Sequence, residues 1–289
     1  MNPIKKNIPF SNVLFPFLMT FKDQKMPENE LPDHIHDWHE IIYVYDGTGT
    51  FFIDKSFHTM EKGNFFFIPR NTIHRAMPDI SNPVTSTAVF FSKFVLGTES
   101  FGDYMTVRGV MEEWEKKRGY KILLSSEQQH FVEEKLDTIQ RGILNQDFGY
   151  RQSIVLELQI ILLQLCQSVF KCGADGSGTS GITGSPGLEL ALQYIDTHLT
   201  ETIYLNDLSP LANMSPPYFS RVFKQMIGLT LTEYITTKRI VRAKEYLEKT
   251  DEKIFLVAEN CGFTSLPHFH RTFLKYAGLT PGSYRKIKH

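Results

Sequence analysis

The alternation of hydrophobic and polar positions along residues 13–91 predicts a series of β-strands. Positions of one parity from Val13 to Phe21 are apolar. Three later runs are rich in aromatic and β-branched residues, namely Ile41–Tyr45, Thr50–Ile53 and Phe65–Ile68. Turn signals such as Asp46-Gly47 and Lys62-Gly63-Asn64 separate these runs at short intervals. Many short strands divided by such turns are typical of a sandwich or a barrel.

From about Asp103 to Phe170 the hydrophobic period becomes that of an α-helix, and helices are predicted over Glu127–Leu144 and Arg151–Val169. The second helix has an unusually wide apolar surface, formed by Ile154, Leu158, Ile161 and Leu165 together with Leu156, Ile160 and Leu163. Such a helix either packs entirely against the strands or leaves one stripe for a second subunit. The second alternative would make the protein a homodimer.

Residues 171–187 are rich in Gly, Ser and Thr and have almost no apolar side chains, so we predict a flexible linker there. A chain of 289 residues is long enough for two domains that each bury a core. The linker therefore divides a first domain, residues 1–170, from a second domain, residues 188–289.

An internal repeat in the second domain carries the strongest signal in the chain. At an offset of 50 residues, nine of 20 aligned positions are identical. Ser215, Pro217, Phe219, Arg221, Phe223, Gly228, Leu229, Thr230 and Tyr234 match Ser265, Pro267, Phe269, Arg271, Phe273, Gly278, Leu279, Thr280 and Tyr284. So many identities in so short a stretch indicate two copies of one structural unit.

Each copy is predicted to be a helix-turn-helix unit. Ser215 and Ser265 are placed to cap a helix that has proline in its first turn, and Gly228 and Gly278 are placed to end it. A short apolar-periodic helix precedes each capped helix, through Leu205, Leu208 and Leu211 in one copy and through Ile254, Val257 and Ala258 in the other. In this motif the second helix enters the major groove of DNA.

The segment between the copies, residues 232–249, is predicted to be one bridging helix whose inward positions are Ile235, Ile240, Ala243 and Leu247. A helix of this length spans roughly 27 Å. It would set the two units about one DNA turn apart, which suits successive major grooves. We assign Arg239 and Arg242 of this helix a structural role.

The run Val257–Arg285, VAENCGFTSLPHFHRTFLKYAGLTPGSYR, closely resembles the signature of the AraC/XylS family of transcription regulators, and Leu208–Ile235 resembles the family's first helix-turn-helix. The resemblance covers about a hundred residues without a gap. It implies that the second domain binds double-stranded DNA and that RNA polymerase is a further partner.

Helix geometry combined with this resemblance nominates the DNA contacts. Phe219 and Phe223 face the core, which leaves the other side of the helix for the groove. The candidates are Pro217, Tyr218, Ser220, Arg221, Lys224 and Gln225 in the first unit, and Leu266, Pro267, His268, His270, Arg271 and Lys275 in the second. Arg221 and Arg271 are expected to bond base edges, since a guanidinium pairs with guanine O6 and N7. Lys224 and Lys275 are expected to meet phosphate.

A second constellation lies among the predicted strands: His34, His36, Glu40 and Gly47, followed by Gly63, Pro69 and His74. It resembles the two half-motifs of cupin barrels, which AraC-type regulators often carry as effector domains. One departure is Asn71, where cupins normally have glycine. The resemblance implies an α+β protein, with a cupin-like β-barrel and following helices, then an all-α domain of two helix-turn-helix units.

Even-numbered positions of a strand share a face, so His34, His36 and Glu40 are predicted to point together into the barrel. With Tyr43 and His74 they would suit a polyhydroxylated effector. Alternatively, His34, His36, Glu40 and His74 would hold a transition metal such as iron, manganese or zinc. A purely structural role is the third alternative. His39 and His58 are expected to lie outside the barrel.

Charge and composition change this picture little. Residues 186–289 carry 13 Lys and Arg against 10 Asp and Glu, within a chain of net charge −1, so only the second domain is basic. Three separated cysteines indicate neither a disulfide framework nor a zinc cluster. We find no apolar run of membrane-spanning length and no signal-peptide pattern, so we expect a cytoplasmic protein without a membrane partner.

These observations together predict a DNA-binding transcription regulator, not an enzyme, that is controlled by a small-molecule effector. A sugar or sugar derivative is the effector that the family resemblance suggests. The alternative from a different class is a metal-dependent cupin enzyme, a dioxygenase or isomerase, fused to a DNA-binding domain. No catalytic triad and no phosphate-binding GxxxxGK[ST] motif is evident in the sequence.

Overall fold

The computed structural model describes residues 15–25, 35–97, 106–117, 119–171 and 186–288. These residues divide into two compact units, one over 15–171 and one over 186–288. Most of the predicted linker lies outside the described residues, but both of its ends are helical. Lys171 is the last residue of one helix, and Pro186 and Gly187 are the first residues of the next.

In its described part, the first unit contains eight strands. They are β1 (Phe17–Lys25), β2 (His39–Asp46), β3 (Gly49–Ile53), β4 (Ser56–Met60), β5 (Asn64–Ile68), β6 (His74–Pro78), β7 (Val84–Phe91) and β8 (Lys121–Leu123). They form a five-stranded sheet in the order β1-β7-β2-β5-β8 and a three-stranded sheet in the order β4-β3-β6, with antiparallel pairing. The predicted barrel-like arrangement of short strands, followed by helices, is confirmed.

Strand alternation divides the first unit into two cores. Ile42 of β2, Phe66 of β5 and Phe51 of β3 pack together in the interior between the sheets. Their chain neighbours point the opposite way, so Ile41 and Phe67 belong to a core on the other face of the large sheet. Successive side chains of a strand point to opposite faces, which explains why these aromatic-rich strands are buried on both sides.

Three helices cover the outer face of the large sheet: α1 (Val107–Lys117), α2 (Ser126–Asn145) and α3 (Tyr150–Lys171). The α2 helix begins with a capping box in which Ser125 and Gln128 bond each other's backbone N–H. The helical period predicted from about Asp103 to Phe170 is interrupted by β8, a strand that the sequence interpretation missed, where Ile122 pairs with Phe65. The open edge of β5 offers backbone hydrogen bonds that local periodicity does not reveal.

The wide apolar surface of α3 is only partly buried. Ile154, Leu158, Ile161 and Leu165 are in the core, together with Leu136 of α2 and other residues of that helix. By contrast, Leu156 is 49% exposed, Ile160 42% and Leu163 39%. A stripe of three large apolar side chains therefore remains uncovered in the described part of the first unit.

The second unit is helical throughout its described residues. Its helices are α4 (Pro186–Thr197), α5 (Leu205–Leu208), α6 (Pro216–Ile227), α7 (Leu231–Lys249), α8 (Ile254–Asn260), α9 (Leu266–Ala277) and α10 (Pro281–Lys288). The predicted helix through Leu205 and Leu211 is broken, because Pro210 starts a separate 3-10 turn. None of the described helices combines the length and apolarity needed to span a bilayer.

The predicted helix ends are confirmed with one difference. Gly228 (φ 88°) and Gly278 (φ 75°) end α6 and α9 in the left-handed region. Ser265 accepts a hydrogen bond from the backbone N–H of His268, whereas Ser215 occupies the N-cap position without such a bond. The bridging helix α7 is a single helix that begins one residue before the predicted start.

We predict that Gly47→Ala destabilises the protein much more than Gly149→Ala. Both glycines have positive φ, 87° and 79°, so each substitution introduces backbone strain of roughly 1–2 kcal/mol. A Cβ at Gly47 would also lie 2.2 Å from the Pro83 carbonyl oxygen, whereas nothing lies within 4 Å of one at Gly149. Urea denaturation should show a loss of at least about 3 kcal/mol for Gly47→Ala. Equal losses for the two variants would contradict the close approach.

Candidate DNA-binding surface and candidate ligand site

The helices α6 and α9, the second or recognition helices of the two helix-turn-helix units, bury equivalent faces. Phe219 and Phe223 of α6 are fully buried, and so are Phe269 and Phe273 of α9. The rings of Phe223 and Phe273 each meet a tyrosine edge to face, Tyr234 and Tyr284 respectively, with centroids 5.5 Å apart. The repeated phenylalanines and tyrosines thus form the same small aromatic core in both units.

Burial of that face leaves the nominated residues on the outside. Exposed side chains are Pro217, Tyr218, Ser220, Arg221, Lys224, Gln225, Leu266, Pro267, His268, Arg271 and Lys275, and His270 is half-buried. The helices therefore bring these residues together as two similar polar and basic surfaces. Which of them contact DNA stays a prediction.

Local interactions organise some of these cations. The Arg221 guanidinium lies 5.7 Å from the centre of the Tyr218 ring, one helical turn earlier. This geometry is that of a cation–π contact.

The Glu233 carboxylate at the start of α7 accepts a hydrogen bond from the backbone N–H of Thr230, which lowers its pKa against the opposing effect of burial. The positive charges of Lys224 and Lys275 lower this pKa further.

A buried cluster of His36, Glu40 and His74 lies at one end of the barrel interior. Glu40 belongs to β2, His74 begins β6 and His36 precedes β2. The Nε2 atoms of both imidazoles are 3.1 Å from the same oxygen of Glu40, Oε2. All three side chains are nearly inaccessible to solvent. The structure thus brings together three of the predicted effector residues.

The other ring nitrogens of this cluster are already engaged. His36 donates its Nδ1–H to the Trp38 carbonyl at 2.8 Å, and His74 donates its Nδ1–H to the Thr72 carbonyl at 2.9 Å. A neutral imidazole that donates through Nδ1 has only a lone pair at Nε2. A proton or a cation must therefore lie between each Nε2 and Glu40 Oε2.

The Glu40 carboxyl is held in its ionised form. Burial would raise its pKa, but hydrogen bonds from His36 and His74 outweigh this effect and hold the pKa well below its usual range. A buried carboxylate of this kind requires positive charge or hydrogen-bond donors around it. The cluster therefore has the chemistry to accept hydrogen-bond donors or a cation.

The same three residues fit a metal ion geometrically. Their ligand atoms all lie within 4.8 Å of one another. Ligands about 2.0–2.2 Å from a transition metal lie roughly 2.8–3.6 Å apart at tetrahedral or octahedral angles. The two Nε2 to Oε2 distances of 3.1 Å fall in this range. Backbone carbonyls that accept the Nδ1–H groups would orient both imidazoles for coordination.

Two predicted effector residues are not part of the cluster. His34 lies outside the described residues. Tyr43 lies on the opposite face of β2 from Glu40, because the two positions differ in parity, and its hydroxyl donates to Glu133 of α2 at 2.6 Å. The Tyr43 side chain therefore points toward the helices and not into the barrel.

The two histidines that were expected outside the barrel have different positions. His39 does lie on the helix-facing side, stacked between Phe67 and Phe91, and burial, followed by the charge of Arg70, lowers its pKa to about 3. For His58 the expectation was wrong. It pairs across the strands with Phe51 of the interior and lies beside the ring of Phe66.

His58 is thus an interior residue that the sequence interpretation missed. Its Nε2 is buried without a hydrogen-bond partner among the described residues. Burial, followed by the charge of Lys121, lowers its pKa to about 4, so the imidazole is neutral near pH 7. The signal that would have found it is its parity, which it shares with buried Met60 on the same strand.

Comparisons with known proteins agree with both units. A model of an AraC-like ligand-binding domain matches residues 18–99, and a model of a helix-turn-helix domain matches residues 208–287. These two matches cover the strands around the buried cluster and both recognition helices. The two sites therefore lie in recognised domains of regulators.

Relatives match either most of this chain or about a third of it. The HTH-type transcriptional activator RhaS of Pectobacterium atrosepticum is 24% identical over 91% of this chain and 90% of its own length. The bifunctional transcriptional activator and DNA repair enzyme AdaA of Bacillus subtilis is 36% identical over 36% of this chain and 49% of its own. The regulatory protein PocR of Salmonella typhimurium is 34% identical over 34% of this chain and 33% of its own.

The ligand-binding domain comes first along the chain and the helix-turn-helix domain second. The internal repeat lies within the second of these domains. The chain belongs to the AraC family of transcription regulators.

Proposed function

We propose that this protein is a sequence-specific regulator that inserts α6 and α9 into successive major grooves of double-stranded DNA and is controlled by a small effector in its barrel. The observation that carries the proposal is the equivalence of α6 and α9, which bury matching phenylalanines and expose an arginine at matching positions. Residues 1–170 would then sense ligand and dimerise, and residues 188–289 would bind DNA.

Within this interface we assign base contacts to Arg221 and Arg271. Both are exposed, and no carboxylate partner of either is found in the part of the chain that the structure describes. A guanidinium in that state is available for the paired acceptors of guanine. Lys224 and Lys275, whose ammonium groups are compact point charges, would bond phosphates instead and fix the register.

For the barrel we propose an effector whose hydroxyl groups donate to Glu40 and bond the imidazoles of His36 and His74. Such chemistry suits a sugar or a sugar derivative. A ligand that replaces the hydrogen bonds within the cluster would change the contact between Glu40 of β2 and His74 of β6. A ligand that favours one arrangement of the domain in this way can control DNA binding or activation.

A metal ion is the second candidate for this cluster. The specific observation that favours it is that two imidazole Nε2 atoms and one carboxylate oxygen lie within 4.8 Å of one another, while both Nδ1–H groups donate to carbonyls. A bound cation would balance the ionised Glu40 in this buried position. We assign no catalytic role to the cluster; the relatives named above are transcription regulators, and AdaA is also a DNA repair enzyme.

We further propose that the protein is a homodimer through α3. Its exposed residues Ser153, Leu156, Ile160, Leu163 and Gln167 follow the alternating spacing of three and four residues that defines a coiled-coil seam. Isoleucine at an a position with leucine at the flanking d positions favours two-stranded coils. The seam carries no charged residue, so a second copy of α3 can pack against it without like-charge repulsion.

Names of the relatives suggest that the output is activation, for which RNA polymerase would be the further partner. Activation would also require the dimer to hold the DNA-binding domains of its two subunits at one promoter. The proposal for α3 supplies such a connection.

We expect Arg271→Ala to weaken binding to a selected operator by about 1–3 kcal/mol and to relax sequence preference at one or two base pairs. The operator can be obtained by in vitro selection from a random duplex library with the full-length chain, and affinities can be measured by fluorescence anisotropy. Lys275→Ala is the matched control. It should weaken all duplexes alike and reduce the salt dependence of binding. Uniform loss with Arg271→Ala would remove its assignment to base readout.

A sugar and sugar-phosphate library should contain a ligand that raises the unfolding midpoint of the full-length protein. At a ligand concentration of about 100 times Kd, the expected rise is roughly 5–10 °C. The rise should disappear in Glu40→Gln. It should persist in Tyr43→Phe, the matched control, because Tyr43 faces α2.

Elemental analysis of protein purified without a histidine tag separates the two candidates for the cluster. Close to one equivalent of iron, manganese or zinc in the wild type, lost in Glu40→Gln, would support the metal site. A ligand-induced rise in midpoint that survives in Glu40→Gln would show that the effector binds elsewhere.

Ile160→Asp should convert the dimer into a monomer, because it places a charge in the centre of the apolar seam. Sedimentation velocity at micromolar concentrations measures the change. Leu144→Asp is a control with similar chemistry, since Leu144 is 70% exposed near the end of α2 and off the seam. A wild-type protein that sediments as a monomer would overturn the assignment.

A further inference from the structure

Arg239 connects α7 with the segment that follows α4. It lies in the middle of the bridging helix, and its Nε–H donates to the Leu199 carbonyl at 2.9 Å. One of its terminal nitrogens donates to the Glu201 carbonyl at 2.6 Å. Next to it, Lys238 forms an ion pair with Asp196 of α4 at 3.0 Å. These bonds hold α7 against the end of α4.

The α4 helix belongs to the first helix-turn-helix half of the unit. A Cβ at Gly187 would lie 2.5 Å from the Cα of Ala212, so the start of α4 packs directly on the 3-10 turn that precedes α6. Leu188, Ala191, Leu192 and Ile195 of α4 are fully buried. Arg239 is therefore bonded to the scaffold of the first half.

The turn of the second half meets the same point. Gly262, between α8 and α9, has φ 83°, and a Cβ there would lie 2.8 Å from the Leu199 carbonyl oxygen and 2.9 Å from Arg239 Nε. Leu199 and Arg239 thus contact the second helix-turn-helix at its turn. The absence of a side chain at Gly262 permits this approach.

This arrangement gives the two halves a connection beyond the continuous backbone of α7. A single helix allows its ends to bend or twist relative to each other. A contact between the segment after α4 and the turn before α9, with Arg239 bonded to the former and close to the latter, restricts that motion. The guanidinium is half-buried, and its desolvation lowers its pKa, so the two carbonyl bonds compensate for lost water.

We propose that Arg239 is a positioning residue that fixes the orientation of α9 relative to α6 and thereby sets the spacing of the two DNA subsites that the protein accepts. The inference rests on the proposed function, since it assumes that α6 and α9 bind one duplex together. Arg239 itself would not touch DNA. Methionine at this position keeps much of the apolar stem but lacks both bonds to the carbonyl oxygens.

The first experiment measures orientation without DNA. Spin labels are attached at Ser220→Cys on α6 and Leu274→Cys on α9, both exposed positions, in full-length protein with Cys166 and Cys172 replaced by serine and buried Cys261 kept. An excess of unlabelled protein is mixed in, so that only distances within one chain are measured. Double electron–electron resonance should give a narrow distance distribution that broadens at least about twofold with Arg239→Met. Arg242→Met, on the same helix, is the matched control and should leave the width unchanged.

The second experiment measures spacing on the selected operator. Inserting one base pair between the two subsites rotates one of them by roughly 34–36°. This insertion should weaken the wild type and Arg242→Met by about tenfold or more, but Arg239→Met by less than about threefold. Circular dichroism and the unfolding midpoint establish that the variants are folded.

The outcomes separate the inference from the proposed function. An unchanged distance distribution in folded Arg239→Met overturns the inference, whatever DNA the protein binds. An equal insertion penalty in Arg239→Met and the wild type also overturns it. Uniform loss of affinity on every duplex, with a smaller salt dependence, would make Arg239 a phosphate contact. Failure of the wild type to enrich any duplex, with the broadened distribution still observed, would reject only the DNA-binding proposal.

Discussion

The packing of two phenylalanine pairs, Phe219 with Phe223 and Phe269 with Phe273, is the interaction on which the DNA-binding unit depends. Each pair lies one helical turn apart, so its burial orients the whole helix about its axis. A tyrosine from the helix that follows, Tyr234 or Tyr284, completes each cluster. Burial of one face leaves the arginines and lysines on the other, where a polyanion can reach them.

The barrel obeys the corresponding rule for strands. Alternation places Glu40 and His74 in the interior, while Tyr43 faces the helices outside the sheet. An ionised carboxylate inside a protein is stable only with donors or a cation beside it, and His36 and His74 supply that environment here. The barrel interior therefore has the polar cluster of Glu40 and two histidines at one end, and aromatic side chains such as Phe51 and Phe66 beyond it.

The two units divide the tasks that the family membership implies. The first unit combines a polar interior cluster with an uncovered apolar seam on α3, and the second carries two equivalent helices held by α7 and Arg239. A ligand that alters the cluster would also reach the interior core, because the imidazoles of His36 and His74 pack edge to face against Phe90 and Phe51. Regulation by such a ligand requires only that its binding favour one arrangement of the first unit.

The sequence by itself determined the elements whose signals are local or repeated. The copies around Ser215 and Ser265, the left-handed ends at Gly228 and Gly278 and the buried faces of α6 and α9 all follow from spacing within about 20 residues. The cluster of His36, Glu40 and His74 was also predicted, through strand parity together with the resemblance to cupins. Only the tertiary structure placed β8 at the edge of β5, turned His58 inward, directed Tyr43 to Glu133 and joined Arg239 to Leu199. Each of these depends on a partner at least 40 residues away or on which face of a sheet is covered, and the periodicity of one segment carries no information about either.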